Sequence, residues 1–394
     1  MNRIDSSCPC CGSTDISSFH HATDVPVNSV LALRSREEAL SFPTGEITLG
    51  FCKACGFIYN ASFDPALLEY SERYDPTQAF SGTFNAWHRQ LATDVIERFG
   101  LQGKRVVEIG CGKGEFLHLL AEIGGVKGVG FDPSYEPSRD VAITDTGLEF
   151  VADFYSEKYA DVKGDAVCCK MTLEHIAPSR EFIDMVRRAV GDDPETIVLF
   201  QVPDMRRILE EAAFWDIYYE HCSYFSAGSL ARLFRRCGFD VSDVRREYGD
   251  QYLMLVAKPT VGSASTALAE EDDLQLLQDL VVQFAERFAS IRSEWTERLA
   301  RYRSAGKRTV IWGSGSKGVA FLNTVGTDAG VEYVVDINTF RQGHFMAGTG
   351  QQIVGPQFLV DYKPDVVVVM NPIYRDEIER DLAELGLQPE VLTT

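Results

Sequence analysis

Three short stretches hold side chains able to do chemistry. DIYYEHCSYF, from Asp216 to Phe225, gathers three tyrosines, a Glu-His pair and a cysteine with no glycine or proline to make a tidy turn. Such groups hold and move protons; an aromatic-rich strand or loop edge is the plainer reading of the same residues. VEIGCGKGEF, from Val107 to Phe116, puts three glycines directly after an apolar run. Near the N-terminus stand two cysteine pairs, Cys8-x-x-Cys11 and Cys52-x-x-Cys55, the second followed by Gly56.

Each C-x-x-C turn presents two thiolates on one side of a tight loop, and two such turns make the four soft ligands of a closed, structural Zn²⁺ site. Metal ligands are therefore expected at Cys8, Cys11, Cys52 and Cys55, with Cys10 a spare that breaks the repeat. Four unrelated buried thiols are the competing reading.

Gly110, Gly112 and Gly114 add no Cβ, so the backbone leaving the apolar run can approach a ligand closely. The spacing differs from the Gly-x-Gly-x-x-Gly dinucleotide fingerprint, and Glu108 just before it repels phosphate and attracts a cation. Asp132 ends the next apolar run, placed to accept hydrogen bonds from two ribose hydroxyls. One element on, Asp153 can bond an adenine amino group and Phe154 can cover the ring; a solvated loop acid is the alternative for Asp153. A nicotinamide cofactor is the competing ligand.

These residues need a scaffold. Apolar residues recur at helical spacing from Phe84 to Phe99, and Gly100 and Gly103 end that helix. Short buried strands then alternate with helices or loops through Lys104–Gly110, GVGFD, DAVCCKM, TIVLFQV and QYLMLVAKP, the pattern of a doubly wound, mostly parallel α/β sheet. Thr260–Thr266 reads as a linker. Leu274, Leu277, Val281, Phe284, Phe288, Ile291, Trp295 and Leu299 step by three or four along one amphipathic helix, which packs across another domain or forms a coiled-coil dimer. TVIWGSGSKGVAFL, with Gly313–Gly318 and Asp336 beyond it, opens a second α/β unit of dinucleotide type. The expected division is 1–75 (zinc-binding), 76–260 (α/β), 267–305 (connecting helix) and 306–394 (Rossmann-like).

A net charge of -20 over 394 residues disfavours nucleic acid and acidic membrane surfaces as partners. No apolar run approaches the roughly 20 residues of a membrane span, and Met1–Ser7 is polar with Asp5. A cytoplasmic location is expected, where ten cysteines read as metal or chemistry rather than disulfides.

Glu108-x-Gly110-x-Gly112-x-Gly114 with Asp132 resembles the class I S-adenosylmethionine-dependent methyltransferases over roughly Gly103–Pro259. In MTLEHI (Met171–Ile176), Glu174 and His175 fall where such enzymes build the wall between cofactor and substrate; capping and packing would also explain them. The whole order of two C-x-x-C pairs, methyltransferase core, Tyr218-x-Glu220-His221 and a C-terminal Gly-x-Gly-x-x-Gly unit is similar to the three-part C-methyltransferases of deoxysugar biosynthesis. GTGQQIVGPQ (Gly348–Gln357) resembles that family's last domain.

The resemblance implies S-adenosylmethionine as cofactor and a small-molecule acceptor, a nucleotide-linked sugar methylated on a carbon beside a ketone. It also implies reacting groups at Tyr218, Glu220 and His221. An imidazole of ordinary pKa about 6.5 suits removal of the C–H proton; Glu220 would orient the imidazole or substrate, and Tyr218 would donate to an enolate or hydroxyl. The family's tyrosine after the zinc segment falls on Tyr74 rather than Tyr70, in EYSERYDPTQAFSGTF, which departs from the family pattern and opens the acceptor to other natural-product molecules. Gly313–Gly318 reads as a cradle for that acceptor's diphosphate or base, with Ser316 and Lys317 as donors; a second cofactor and an inherited fold without a ligand are the alternatives. The expected state is monomer or homodimer.

Overall fold

The computed structural model describes residues 2–3, 7–68, 77–136, 147–262 and 265–394. Tyr70 and Tyr74 lie outside the described residues. The N-terminal part holds β1 (Asn2–Arg3), β2 (Ile16–Pro26), α1 (Arg36–Leu40), β3 (Thr44–Cys52) and β4 (Ile58–Asn60). The middle holds α2 (Gly82–Phe99), β5 (Arg105–Ile109), α3 (Glu115–Gly124), β6 (Lys127–Phe131), β7 (Leu148–Val151), β8 (Ala166–Lys170) and α4 (Ser179–Val190). It continues through β9 (Ile197–Pro203), α5 (Met205–Glu211), β10 (Ser223–Tyr224), α6 (Ala227–Arg236), β11 (Phe239–Glu247) and β12 (Tyr252–Pro259). After α7 (Leu274–Ser304) come β13 (Thr309–Trp312), α8 (Ser316–Val325), β14 (Val331–Val335), β15 (Gln352–Val354), α9 (Leu359–Tyr362), β16 (Val366–Val369), α10 (Arg375–Glu384) and β17 (Glu390–Thr393).

The central sheet has the order β11-β12-β9-β8-β5-β6-β7, parallel except that β12 runs antiparallel to both neighbours. Val106–Ile109 of β5 are all buried, as a strand covered on both faces requires. Val107 and Ile109 pack with Leu230 and Phe234 of α6, while Val106 packs with Leu91 and Val95 of α2 and Leu117 of α3. The chain reverses direction of winding at β5, so a ligand crevice opens beyond the carboxyl ends of β5, β6 and β8.

The C-terminal sheet, β15-β14-β13-β16-β17, is parallel throughout and has its own reversal at β13. Its crevice faces that of the central sheet. Gln251 and Asn371 exchange two amide hydrogen bonds at 2.9 and 3.1 Å across the seam. Glu377 of α10 caps the start of α2 by accepting from Ser81 Oγ, Gly82 N and Thr83 N at 2.7, 3.0 and 3.1 Å.

The N-terminal sheet has the order β1-β2-β3-β4-β10, and its last strand comes from the middle of the chain. Packing on α7 covers one face: Phe19 meets Phe284 edge-on at 5.6 Å, and Leu277, Val281 and Phe284 join Ile47, Leu49 and Phe51 in one cluster. The amphipathic stripe of α7 is thus buried within the chain. Trp295 and Leu299, further along, pack with Phe321 and Leu322 of α8.

Candidate active site

At the end of β5 the backbone turns left-handed at Gly110 (φ 70°), Gly112 (φ 56°) and Gly114 (φ 84°). A Cβ at Gly110 would lie 1.9 Å from Thr172 Oγ1, and one at Gly114 would lie 2.7 Å from the Phe150 ring. At Gly112 nothing lies within 4 Å, so the positive φ is what requires glycine there.

Glu108 is 2% exposed, and its Oε2 has no hydrogen-bond partner among the described residues. Burial raises its pKa to about 7, opposed by the Lys170 ammonium 3.7 Å from Oε1. Lys170 in turn lies over the Phe116 ring at 4.2 Å. Asp132 ties the turn together: Oδ2 accepts from Gly112 N at 2.9 Å, and Oδ1 accepts from Ser134 N and Oγ at 2.8 and 2.7 Å. A backbone cradle with a dry, unmatched carboxylate oxygen fits a cation carried on a phosphate-free nucleoside.

Asp153 is drawn elsewhere, accepting from Tyr159 Oη at 2.6 Å and Lys158 Nζ at 3.1 Å, partners that hold its carboxyl below the usual range. Phe154 beside it is 60% exposed and lines the cavity that both crevices share, about 680 Å³ in volume.

Opposite the glycine turn lies the Asp216–Phe225 stretch, buried except for the half-buried Tyr218. His221 N donates to Tyr218 O at 3.2 Å, closing a tight turn that sets their rings 4.1 Å apart. His221 is 4% exposed; its Nδ1 has no hydrogen-bond partner among the described residues, and burial drives its pKa well below 6.5. Glu174 Oε1 lies 4.0 Å from His221 Nε2, and neither carboxyl oxygen of Glu174 is hydrogen-bonded among the described residues. Burial pushes the Glu174 pKa up to about 8. The His175 ring meets His221 edge-on at 4.8 Å, while its Nδ1 lies 3.1 Å from Glu220 O.

The Glu220 carboxylate stands outside the cavity lining. Its Oε2 accepts from Ser29 N at 3.1 Å and from Ser29 Oγ, which also contacts Ser316 Oγ at 2.7 Å. Tyr219 is packing: its ring fills the space over Gly45, where a Cβ would lie 2.3 Å away, and its hydroxyl accepts from Asp64 N at 2.9 Å.

In the second crevice Asp336 Oδ2 accepts from Ser314 N at 2.9 Å, as Asp132 does for the first turn. A Cβ on Gly318 would come within 2.3 Å of Gly313 O, so helix α8 can start this close to β13 only with glycine there. Lys317 at the start of α8 donates to Asp216 Oδ1, and Arg207 donates to Oδ2. Burial would raise the Asp216 pKa, but the two cations win and hold it below the usual carboxylate value.

The four N-terminal thiols converge. Cys8 and Cys55 sulfurs are 3.7 Å apart, Cys11 and Cys52 sulfurs 3.6 Å, and all four lie within 4.8 Å of one another. Sulfurs about 2.3 Å from a tetrahedral ion stand about 3.8 Å apart. Cys10 is buried in the core outside this group.

Residues 84–244 match the model of a methyltransferase domain, and residues 254–388 match the model of the C-methyltransferase C-terminal domain. C-methyltransferase NovU of Streptomyces niveus is 26% identical over 357 residues, 85% of this chain and 83% of that protein. The chain is a SAM-dependent methyltransferase, similar over most of its length to C-methyltransferases. Among solved structures, the 1,6-didemethyltoxoflavin-N1-methyltransferase of Burkholderia thailandensis, bound to S-adenosylhomocysteine, shares 16% identity at a TM-score of 0.36, covering 46% of this chain and 82% of that one. The PH0226 protein of Pyrococcus horikoshii OT3 shares 15% at 0.37, covering 49% and 100%.

The central sheet is the class I methyltransferase fold, and the glycine turn after β5 stands at the carboxyl edge where its crevice opens. The cavity lining brings together Glu108, Gly110, Gly112, Asp132, Phe154, Tyr218 and His221. Gly114 lies at the foot of α3 behind that lining; Asp153 and Glu220 also stand outside it. Sequence reasoning passed over Lys170, Gln201, Arg207 and Asp216, which line the cavity too. One local signal was available for the first two: a Lys and a Gln in otherwise apolar strand segments, CCKM and LFQV. Met171, left-handed at φ 51° between them, carries backbone strain at the cavity wall.

Proposed function

We propose that this methyltransferase methylates a carbon beside a ketone on a nucleotide-linked deoxysugar, with His221 as the base. The observation that carries the reading is His221: an imidazole kept neutral by burial, with one ring nitrogen unengaged among the described residues, in the same cavity as the glycine turn. S-adenosylmethionine, when bound, supplies a methyl group on a positively charged sulfur. Glu108 and the Gly110–Gly112 backbone would hold the cofactor's amino-acid and sulfonium end, and Asp132 its ribose. His221 takes the acidic C–H proton of the acceptor, Tyr218 donates a hydrogen bond to the enolate oxygen, and the proton later passes to solvent. The cofactor would supply the electrophilic methyl, giving up its S–CH₃ bond to the new C–C bond.

The second crevice supports a nucleotide-linked acceptor. A dinucleotide-type turn, Gly313–Gly318, with Arg341 and Asp336 lines the far end of the same cavity, so one molecule can reach from that turn to His221. For the N-terminal sulfurs the reading is structural Zn²⁺, supported by their mutual spacing. A cytoplasmic setting accords with reduced thiols and with the absence, among the described residues, of a helix long and apolar enough to cross a membrane.

The test is incubation with ¹³C-methyl-labelled S-adenosylmethionine and a panel of nucleotide-linked keto-deoxysugars. A new carbon-bound methyl seen by NMR, with loss of one acceptor C–H, is the expected product. Label on oxygen or nitrogen, or only on a sugar-free natural product, would reject the reading.

A further inference from the structure

We propose that Glu174 is the positioning partner of His221, accepting its Nε2–H so that Nδ1 is the nitrogen facing the acceptor. The inference rests on the proposed role of His221 and adds the residue that aims it. His221 has its two nitrogens in different surroundings: Nε2 is 4.0 Å from Glu174 Oε1, and Nδ1 is buried with no hydrogen-bond partner among the described residues. Glu174 is 1% exposed, lies in the cavity wall, and has both oxygens unengaged among the described residues. A carboxylate so placed has no reason for its burial in the ligand-free packing. A shift of about 1 Å closes the pair to hydrogen-bond distance, the tightening expected when a catalytic site takes up its ligands.

The chemistry follows from the tautomer. With Glu174 ionised, the proton of neutral His221 sits on Nε2 and the lone pair on Nδ1, ready to take a C–H proton. The imidazolium then formed is matched by the carboxylate, a charge pair in a dry site. With Glu174 protonated the arrangement inverts: its O–H donates to Nε2, the ring proton moves to Nδ1, and the base is lost. Burial holds the Glu174 pKa near about 8, so the active form grows in as pH rises through that value.

Other groups facing the pair keep their charge there. Burial puts His175 at about 4 and Cys222 and Tyr252 at about 12, and raises Cys169 well above the usual thiol value. Lys317, which faces His221, is lowered by burial but held against Asp216, and Lys317→Met serves as its control.

The test needs no acceptor. Full-length protein labelled with ¹⁵N-histidine and saturated with S-adenosylhomocysteine is titrated from pH 6 to 10, with His221→Asn identifying the His221 ring signals. The expected result is a switch of His221 to the Nε2–H tautomer centred near pH 8, absent in Glu174→Gln and kept in Lys317→Met. With the acceptor found by the methyl-label screen, Glu174→Gln should lower kcat about 100-fold with KM within about threefold, and flatten the rise near pH 8. Should Glu174→Gln fail to fold, the wild-type titration still decides, and Glu174→Asp should retain the switch.

One tautomer throughout in the wild-type protein, or the same switch in Glu174→Gln, overturns the inference while leaving His221 as base. Turnover by His221→Asn overturns the base assignment itself. A second metal equivalent per chain, lost in Glu174→Gln, also overturns the inference, because Glu174, His175 and His221 lie within 4.8 Å and would then be ligands.

Discussion

Asn60 N donates to the carbonyl of Cys222 at 2.9 Å, so the strand that leaves the second cysteine pair is bonded to the residue after His221. Register continues the link: Tyr59 pairs with Ser223 and Ile58 with Tyr224. The thiol cluster therefore fixes β4, β4 fixes β10, and β10 fixes where the imidazole turn ends. A thiol cluster far from the chemistry thus sets the position of the proposed base.

Cys55→Ser, or removal of the metal by a chelator, is accordingly expected to lower kcat at least about tenfold while S-adenosylhomocysteine affinity stays within about threefold, because the glycine turn is on another sheet. Calorimetric titration beside a turnover assay checks this. Equal losses in both would mean general unfolding instead.

His221→Asn should abolish turnover, at least about 10²-fold, and leave cofactor binding unchanged. The histidine's depressed pKa makes a sign prediction as well. Because the folded protein holds the ring neutral well below pH 6.5, acidification to pH 6.5 should not protonate the base; any loss of activity centred on an ordinary histidine value would contradict its burial.

Gly110→Ala meets two obstacles, a positive φ and a Cβ placed 1.9 Å from Thr172 Oγ1. The side chain of Thr172 must move and the turn must strain, costing about 1–3 kcal/mol. The expected reading is a lower Tm and cofactor binding weakened at least tenfold. Gly112→Ala, with open space around its Cβ, should be the milder of the two.

Asp216 lies between Lys317 and Arg207, and the two ways of breaking that group should differ. Lys317→Met leaves the carboxylate its arginine, so about 1–2 kcal/mol of stability is expected to be lost. Asp216→Asn leaves two cations facing each other in a buried seam, a change worth about 3–5 kcal/mol. Chemical denaturation of both variants ranks them; the reverse order would sink the account.

Features written locally were legible in advance. The glycine turn, the C-x-x-C repeats and the stripe along α7 each depend on spacing within one element, and spacing is what a chain displays. Strand β11 was missed because it is an edge strand: its sequence FDVSDVRRE buries only Phe239, Val241 and Val244, and a register shift after Val241 breaks the alternation. Asp153 could not be read, because whether a loop acid meets an adenine or a nearby Tyr159 depends on a rotamer. Glu220 shows the same limit at long range. Its partner Ser29 is on the N-terminal segment, and no pattern around either residue announces the other.

The borrowed strand β10 has a consequence for how the polypeptide is made. Emerging from the ribosome, the cysteine-bearing sheet lacks its final member until the segment around Tyr224 has been synthesised. Until then β4, whose three residues are buried in the finished protein, exposes an open hydrogen-bonding edge to solvent. Expressing the first domain by itself should therefore give a sticky product, and supplying Ser223–Tyr224 in a tethered peptide should relieve it.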